Sequence, residues 1–274
     1  MNNQKVVLIT GASSGIGKEA ARLLSGKGYK VYAASRNLEK MEELKSSGVI
    51  PLSLDVTDEH SIDACVAEIL TAEKRIDILI NNAGYGSFGP AEAIPLNEAR
   101  RQFEVNLFGL AALIQEVLPV MRSQNSGRII NISSMAAYFS EPNGGWYHAT
   151  KAALERYSDS LRMEVKRFNI KVVLIQPGMI HTEWQVIAGQ NLVKHAENTV
   201  YEKSARNQAA MFELGYKYAS KPAVVARAIV RAATSKHPCL RYKVGGMAKP
   251  ILFFRKITPD RWFDALVARL MIRN

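Results

Sequence analysis

Short apolar runs alternate with longer amphipathic stretches along most of the chain. The apolar runs are bounded by Gly, Pro, Asn or Asp, which is typical of strands buried in a parallel sheet, and the stretches between them have helical spacing. The predicted strands cover residues 6–9, 29–34, 49–54, 76–80, 127–132, 171–175 and 240–244. Strand and helix alternate without a repeat or a linker. This order predicts a single-domain α/β fold, a doubly wound parallel sheet of about seven strands with helices on both faces.

The pattern loosens after the sixth predicted strand, over residues 184–218. Glycines and asparagines interrupt the helical spacing there, at the edge of the sheet where ligands bind. The segment is either a lid over a substrate or a helical pair packed on the core. We therefore divide the chain into a domain of residues 1–245, with a substrate lid at 184–218, and a C-terminal helical extension of residues 246–274.

The C-terminal extension is basic and amphipathic. A helix start at 258–260 precedes apolar residues at helical spacing, and arginines flank them. The apolar positions are Trp262, Phe263, Leu266, Val267 and Leu270. Such a helix can lie in a membrane interface, pack against a partner subunit, or cover the mouth of a substrate site, and the sequence leaves these three roles open.

The charge of the chain is concentrated near its C-terminus. The 274 residues carry 36 Lys and Arg against 25 Asp and Glu, a net charge of +11. Residues 215–274 hold 13 of the basic residues but only two acidic ones, and the charges of residues 1–214 cancel. Because the basicity belongs to one segment and not to the whole fold, we expect no nucleic-acid partner.

The cysteine content favours a reducing compartment. Cys65 and Cys239 form neither a disulfide framework nor a metal-ligand cluster, and no His, Asp or Glu cluster suggests a metal. The sequence has no run that reads as a signal peptide or a membrane span. We expect a cytoplasmic protein, with peripheral membrane contact through the extension as one of its options.

The first predicted strand ends in a glycine-rich turn at residues 10–17, which opens a helical pattern. Strand, glycine turn and helix is the arrangement in which backbone N–H groups and a helix N-terminus receive a phosphate. Glycines allow the tight turn and the close approach of a pyrophosphate. The predicted cofactor contacts in this turn are Gly11, Ser13, Ser14, Gly15, Ile16 and Gly17.

The end of the second predicted strand indicates which dinucleotide binds. An NAD site places Asp or Glu there to bind the ribose 2′-hydroxyl, whereas this chain has Ser35 and Arg36. Arg36 can bind a 2′-phosphate through two hydrogen bonds, and Ser35 leaves out the charge that would repel it. We therefore predict NADP(H), with NAD(H) the less favoured cofactor. The plain alternative is that Arg36 is a surface arginine.

Polar residues also follow the third and fourth predicted strands, at the same edge of the sheet. Asp55 and Val56 follow the third strand, where Asp55 can face an adenine ring or cap the next helix. Asn82, Ala83 and Gly84 form a sharp polar turn after the fourth strand. We predict that all five contact the cofactor.

Tyr147 and Lys151 carry the candidate chemistry. They are four residues apart on a predicted helix and so share a face, and an ammonium beside a phenol favours the phenolate, which predicts a lowered Tyr147 pKa. Such a phenol can protonate a carbonyl oxygen or deprotonate an alcohol. Ser134 follows the fifth predicted strand and faces the ligand crevice. Asn106 lies in the apolar helix of residues 97–122, either as a hydrogen-bonded core residue or as a group that holds a water near the site.

Together these residues resemble the short-chain dehydrogenase/reductase family, over about residues 5–245. The matching motifs are the glycine turn of residues 10–17, Asn-Asn-Ala-Gly at 81–84, Asn106, Ser134, Tyr-x-x-x-Lys at 147–151 and Pro177-Gly178. The wording Asn-Asn-Ala-Gly-Tyr-Gly and the long extension look like the hydroxysteroid and retinol dehydrogenase branch. Thr150 stands where family members often carry Ser. The resemblance implies a Rossmann fold and an oxidoreductase.

The resemblance implies a role for each catalytic residue. Tyr147 would be the general acid in reduction and the base in oxidation, and Lys151 would lower its pKa and bind the nicotinamide ribose. Ser134 would hydrogen-bond the substrate oxygen. Asn106 would position a water that links Lys151 to solvent.

The resemblance also implies contacts after the sixth strand and an assembly. Pro177, Gly178 and Thr182 would meet the cofactor, with Thr182 binding its carboxamide or a phosphate. Family members lead us to expect a homodimer or homotetramer. His148 and His181 flank the site motifs, and we interpret both as incidental.

The segments expected to face the substrate are rich in large apolar side chains. They hold Phe88, Met135, Tyr138, Phe139, Trp146, Met179 and Trp184. This composition favours a bulky apolar alcohol or ketone, steroid-, retinoid- or lipid-like, over a charged sugar. We therefore expect an NADP(H)-dependent oxidoreductase that interconverts a secondary alcohol and a ketone, or an alcohol and an aldehyde. The alternative is a catalytically silent NADP-binding regulatory or scaffold protein of the same fold.

Overall fold

The computed structural model describes residues 4–271 and is built on one sheet of seven parallel strands, in the order β3-β2-β1-β4-β5-β6-β7. The strands are β1 (Val6–Thr10), β2 (Lys30–Ser35), β3 (Ile50–Ser53), β4 (Ile78–Asn81), β5 (Gly127–Ile132), β6 (Ile170–Pro177) and β7 (Arg241–Val244). Every predicted strand is present, so the predicted doubly wound sheet is confirmed. The strand order reverses between β1 and β4, which is where ligands bind in such sheets.

Helices cover both faces of the sheet. In chain order they are α1 (Gly15–Ser25), α2 (Glu59–Glu73), α3 (Leu96–Phe103), α4 (Gly109–Ser123), α5 (Gly145–Val165), α6 (Glu183–Ala196), α7 (Glu202–Gly215), α8 (Pro222–Thr234), α9 (Ala248–Ile257) and α10 (Asp260–Met271). The predicted helix between β2 and β3 is a 3₁₀ helix, Glu39–Ser47.

Strand β1 shows how the two layers form. Its residues are all fully buried, and successive side chains point to opposite faces. Val6 and Leu8 join the core beneath α2, α4 and α5, whereas Val7 and Ile9 join the core beneath α1 and α8. A continuous apolar run is therefore required, as the sequence pattern indicated.

The predicted helix of residues 97–122 is interrupted. A π-helical turn, Glu104–Phe108, separates α3 from α4 and carries Asn106. By length and composition the run Leu96–Ser123 is the one stretch of the described residues that could cross a membrane. Its Leu113 and Ile114 are fully buried against the sheet, so we assign the run to the core.

The two segments that the sequence left open are both helical pairs. Residues 184–218 form most of α6 and α7, which pack on each other, followed by a short 3₁₀ turn. The extension forms α9 and α10, of which the sequence predicted only the second. Residues 272–274 of the extension lie outside the described part of the chain.

Candidate active site

One cavity of about 1320 Å³ follows the carboxyl ends of the strands. It is larger than the roughly 300–1,000 Å³ of pockets for drug-sized ligands, so it has room for a dinucleotide and a substrate together. The predicted site residues that line it are Gly11, Ser13, Ser14, Gly15, Ile16, Ser35, Arg36, Asp55, Val56, Asn82, Ala83, Gly84, Ser134, Tyr147, Lys151, Pro177, Gly178 and Thr182. Gly17 and Asn106 lie behind its wall.

The glycine turn after β1 leaves backbone groups facing the cavity. Gly11 and Gly15 adopt φ angles of 64° and 56°, the left-handed region that favours glycine. Ser14 precedes α1 without a side-chain cap, and the first turn of α1 holds no acidic residue. The N–H groups and the positive end of the helix dipole are thus available to an anion.

Asn82 fastens this turn to the end of β4. Its amide donates to the carbonyl oxygens of Thr10 and Gly11, both at 3.0 Å. A Cβ on Gly17 would lie 2.5 Å from that amide, which explains why the third glycine of the motif contributes packing and no cavity surface. Two separate strand ends are therefore held as one rigid floor.

A basic corner lies at the end of β2. Arg36 lines the cavity beside Lys40, a residue that the sequence analysis missed, and Arg101 approaches from α3. Ser35 turns inward, since its hydroxyl exchanges hydrogen bonds with the backbone of Asn37. The corner holds more positive than negative charge and suits a phosphate.

Asp55 faces this basic corner. Although burial raises its pKa, hydrogen bonds from Thr57 and the charge of Arg36 outweigh burial, and the pKa of Asp55 is lowered. Its carboxylate accepts from both the backbone N–H and the hydroxyl of Thr57. The helix cap belongs to Asp58, which bonds the N–H of His60.

Tyr147 reaches the cavity from the first turns of α5. Burial raises its pKa to about 12, a hydrogen bond from Ser134 lowers it, and the charge of Glu141 raises it. The lowering expected from Lys151 is therefore not produced by the protein's own residues, because burial dominates. The phenol is protonated at neutral pH.

Lys151 is buried one turn below Tyr147. Its ammonium donates to the carbonyl oxygen of Ile132 at 3.0 Å and lies 6.0 Å from the centre of the Tyr147 ring. Burial lowers its pKa to about 8, and the charge of Glu155 opposes this. Both side chains share one face of α5, as their spacing predicted.

Asn106 is satisfied entirely by protein groups. Its oxygen accepts from the N–H of Tyr85 at 3.0 Å, and its amide donates to the carbonyl of Tyr85 and to the hydroxyl of Thr150. The side chain ties the turn after β4 to α5. These bonds fit the first alternative from the sequence, a hydrogen-bonded core residue, and the second, a group that holds a water near the site, stays a prediction.

Thr182 closes the cavity from the far side. A Cβ on Gly15 would lie 3.2 Å from its methyl group, so Thr182 faces the glycine turn directly. Gly178 packs too closely against the backbone of Gly246 for any side chain. Strands β6 and β7 thus bring residues 177–182 over the part of the cavity that the glycine turn and the ends of β2 and β4 line, which we call the nucleotide half.

Aromatic rings surround Tyr147 on its other side. The rings of Trp184 and Phe88 lie 5.0 Å and 5.5 Å from the Tyr147 ring, and Phe212 of α7 packs on Phe88. The helical pair α6–α7 therefore walls the part of the cavity that the rings beside Tyr147 line, which we call the substrate half. This is the position predicted for a lid.

Five of the seven side chains expected to face the substrate line the cavity: Phe88, Met135, Phe139, Met179 and Trp184. The expectation is wrong for the other two. Tyr138 turns into a buried network, bonding Glu155 and Gln176. Trp146 packs edge-on against Phe103, in a small groove on another face of the molecule.

The extension lines one end of the cavity, as the role of a cover over the substrate mouth, one of the three considered for it, requires. A chain of rings leads there from the site, with Phe139 5.8 Å from Phe263 and Phe263 6.2 Å from Phe254. Leu266 and Leu270 also line the cavity. The sequence identified the apolar stripe of α10, but no sequence signal located its partner.

Comparison of the sequence with known proteins finds a matching family model and relatives of similar length. The family model for short chain dehydrogenases matches residues 5–192. The chain is 36% identical over 261 residues, 95% of its length and 96% of the relative's, to a probable short-chain type dehydrogenase/reductase, VdlC, of Helicobacter pylori. It is 36% identical over 250 residues, 91% of its length and 90% of the relative's, to a 3-ketodihydrosphingosine reductase of Bacteroides thetaiotaomicron.

Solved structures show the same fold with both nicotinamide dinucleotides. A serine dehydrogenase complexed with NADP+ is 29% identical, with a TM-score of 0.74 over 86% of this chain and 93% of the other. A Burkholderia phymatum structure in complex with NAD is 22% identical, with a TM-score of 0.79 over 99% of this chain and 97% of the other. The latter shows likeness of fold alone.

Proposed function

The chain belongs to the short-chain dehydrogenase family, and from this premise we propose that it interconverts a secondary alcohol and a ketone, or an alcohol and an aldehyde, on a bulky apolar substrate with NADP(H). The match over residues 5–192 shows that it is an oxidoreductase of this family. The proposed reaction depends on one observation: Ser134, Tyr147 and Lys151 all line the cavity where its nucleotide half meets its substrate half.

We propose that Tyr147 donates the proton to the carbonyl oxygen in reduction. A phenol with a pKa of about 12 is protonated at neutral pH and holds the proton where Ser134 can hydrogen-bond the same oxygen. Hydride exchange with the substrate carbon is the chemistry that a bound nicotinamide supplies. Lys151 supplies positive charge beneath the phenol, which favours the phenolate left after proton transfer.

We propose that the floor and the basic corner hold the cofactor. The glycine turn and the start of α1 suit the pyrophosphate, because their N–H groups have no side-chain cap. Arg36 and Lys40 suit a 2′-phosphate, which favours NADP(H) over NAD(H). Asn82, Ala83 and Gly84, with Asp55 and Val56, would flank the adenosine and ribose, and residues 177–182 the nicotinamide.

The substrate that we propose is a lipid-like ketone. The substrate half of the cavity is walled by rings and aliphatic side chains from four helices, and it extends from Tyr147 to Leu270. A relative of 36% identity carries the name 3-ketodihydrosphingosine reductase, which favours a long-chain lipid over a steroid or a retinoid. Burial of apolar surface along this length would supply the binding energy.

A panel of ketones tests the proposed activity directly. We expect NADPH oxidation with long-chain ketones, slower oxidation with butan-2-one, and none with charged sugars. Tight NADPH binding without turnover of any ketone or aldehyde would contradict the enzyme and favour the silent regulator, which shares the cofactor site.

We also propose that the extension rests on an anionic lipid surface, from a cytoplasmic location. Phe253, Ile257 and Trp262 are 66%, 62% and 75% exposed, far more than large apolar side chains usually are. Exposed cations lie among them, including Lys256 and Arg261. Aromatic and basic groups on one short helical pair suit a membrane interface.

Co-sedimentation with vesicles tests the lipid surface. We expect binding to phosphatidylglycerol vesicles, weaker binding to phosphatidylcholine vesicles, and a severalfold loss for Trp262→Glu. Met163→Glu is the matched control, because Met163 is a 72% exposed apolar residue on α5. Equal loss in both variants, or a change in subunit association confined to Trp262→Glu, would contradict the lipid surface.

For the assembly we propose a homodimer or homotetramer. Leu96 and Phe108 are more than half exposed beside a small groove lined by Phe103 and Trp146. Association would bury this apolar surface. Light scattering of the purified protein measures the state, and a monomer at all concentrations would contradict the proposal.

A further inference from the structure

Glu141 places a carboxylate in the substrate half of the cavity. It lies between the 3₁₀ turn Met135–Ala137 and α5, and it lines the cavity with its side chain 15% exposed. Among the described residues no lysine or arginine forms an ion pair with it. A carboxylate in such surroundings is costly unless a partner of opposite charge is present.

His148 lies beside this carboxylate but forms no hydrogen bond with it. Nε2 of His148 lies 3.9 Å from an oxygen of Glu141, beyond hydrogen-bond distance. Nδ1 of His148 lies 2.8 Å from the carbonyl oxygen of Ala136, which can only accept, so Nδ1 carries the proton. In the neutral imidazole, Nε2 is then an acceptor that faces Glu141, and it has no hydrogen-bond partner among the described residues.

His148 is fixed in this position. It is 4% exposed, and the rings of Phe88, Phe139 and Tyr147 pack around it. A Cβ on Gly144 would lie 2.8 Å from Nε2, so the backbone covers the imidazole on that side. Two acceptors that face each other can share a donor placed between them, and an ammonium group supplies both the charge and the hydrogen atoms.

Glu141 lines the same cavity as Tyr147, and His148 lies between them: its Nε2 is 3.9 Å from Glu141 and its ring centre is 6.0 Å from that of Tyr147. We propose that Glu141 is a specificity-determining residue that binds a protonated amine carried by the substrate near its carbonyl group. The inference rests on the proposed function and refines it: the substrate class is an amino ketone, or the matching amino alcohol, with a long apolar chain. His148 is the positioning residue behind Glu141.

Two alcohols of matched shape test this inference on the NADP+-loaded protein. In 2-aminododecan-3-ol the amine stands where 2-methyldodecan-3-ol has a methyl group, so size and chain length are equal. Calorimetry gives the two dissociation constants and NADP+ reduction gives the two rates. We expect the wild type to bind the amino alcohol at least tenfold more tightly and to oxidise it with a correspondingly higher kcat/KM.

Glu141→Gln should bring the ratio of the two dissociation constants to near one, and Glu141→Asp should keep part of it. Glu116→Gln is the control, since Glu116 is an exposed carboxylate on α4 that lies outside the cavity lining. A wild-type ratio near one, or a ratio that survives in Glu141→Gln, would overturn the inference even if both alcohols are oxidised. A Glu141-dependent ratio without oxidation of either alcohol would uphold the inference and contradict the proposed activity instead.

Discussion

The two halves of the cavity are built by different parts of the chain. The nucleotide half consists of strand ends and glycine turns, which are joined by hydrogen bonds from side chains to the backbone, such as those that the Asn82 amide donates. Most of the wall of the substrate half comes from α6, α7, α9 and α10, and of these α6, α7 and α10 pack against one another. The difference teaches that a reaction can be fixed in the scaffold while its substrate is chosen by elements that vary independently.

Replacement of Tyr147 should have the largest effect, because it should stop turnover without changing cofactor binding in the nucleotide half. Tyr147→Phe removes the proton donor but keeps the ring against Phe88 and Trp184, so we expect kcat to fall about a thousandfold. The dissociation constant of NADPH, measured by fluorescence titration, should not change. Equal turnover in the two proteins would remove Tyr147 from the mechanism.

Lys151 should reveal a cost that the site imposes on the fold. Its pKa falls from 10.5 to about 8, so the native state binds the proton less tightly than the unfolded chain and is destabilised below about pH 8. Lys151→Met should abolish activity yet raise the free energy of unfolding by about 2 kcal/mol at neutral pH, after the lost bond to Ile132 is counted.

Denaturant titration at two pH values tests the direction of this change in the free energy of unfolding. The advantage of Lys151→Met should shrink as the pH rises from 8 towards 10.5, because the lysine of the wild type then becomes neutral in both states. A variant less stable than the wild type at pH 7, or a gain that is the same at both pH values, would contradict the assigned burial cost.

Arg36 tests whether the basic corner chooses the nucleotide. Arg36→Asp should shift the preference from NADP(H) to NAD(H) by more than tenfold, about 1.4 kcal/mol in differential binding. Arg227→Asp on α8, which lies outside the cavity lining, is the control for added negative charge. An unchanged ratio of kcat/KM for the two cofactors would refute the role of Arg36.

Replacement of Phe263 or Trp262 tests the role of the extension at two neighbouring residues, and the expected effect is smaller. Phe263 is buried and lines the cavity, whereas its neighbour Trp262 is exposed. Phe263→Ala should raise KM for dodecan-3-one about fivefold through lost apolar contact and leave butan-2-one unaffected. Trp262→Ala should leave both constants unchanged. An equal effect of the two variants would mean that α10 only stabilises the fold.

Most of the nucleotide half could be predicted from sequence, because its residues sit directly after strands. The end of a parallel strand faces the ligand edge whatever its neighbours are, and all predicted contacts except Gly17 line the cavity. Lys40 was missed since its position depends on the register of a 3₁₀ helix, which carries no strong periodic signal.

The substrate half was predicted less well, because side-chain direction there depends on contacts distant in sequence. Tyr138 and Trp146 are aromatic residues close to the site in sequence, yet each turns towards partners elsewhere. The predicted direction of the Tyr147 pKa shift was wrong for a similar reason. Spacing reveals the neighbouring charge but not the degree of burial, and burial dominates.

Transfer of deuterium tests the central claim most directly, namely that Tyr147 protonates a ketone that is reduced in this cavity. The protein is incubated with dodecan-3-one and NADPH carrying deuterium at both C4 positions, and the alcohol is analysed by mass spectrometry. We predict one deuterium on the carbinol carbon with the wild type and none above background with Tyr147→Phe over the same time. Equal labelling in the two proteins, or NADPH binding without any labelled alcohol, would contradict the account.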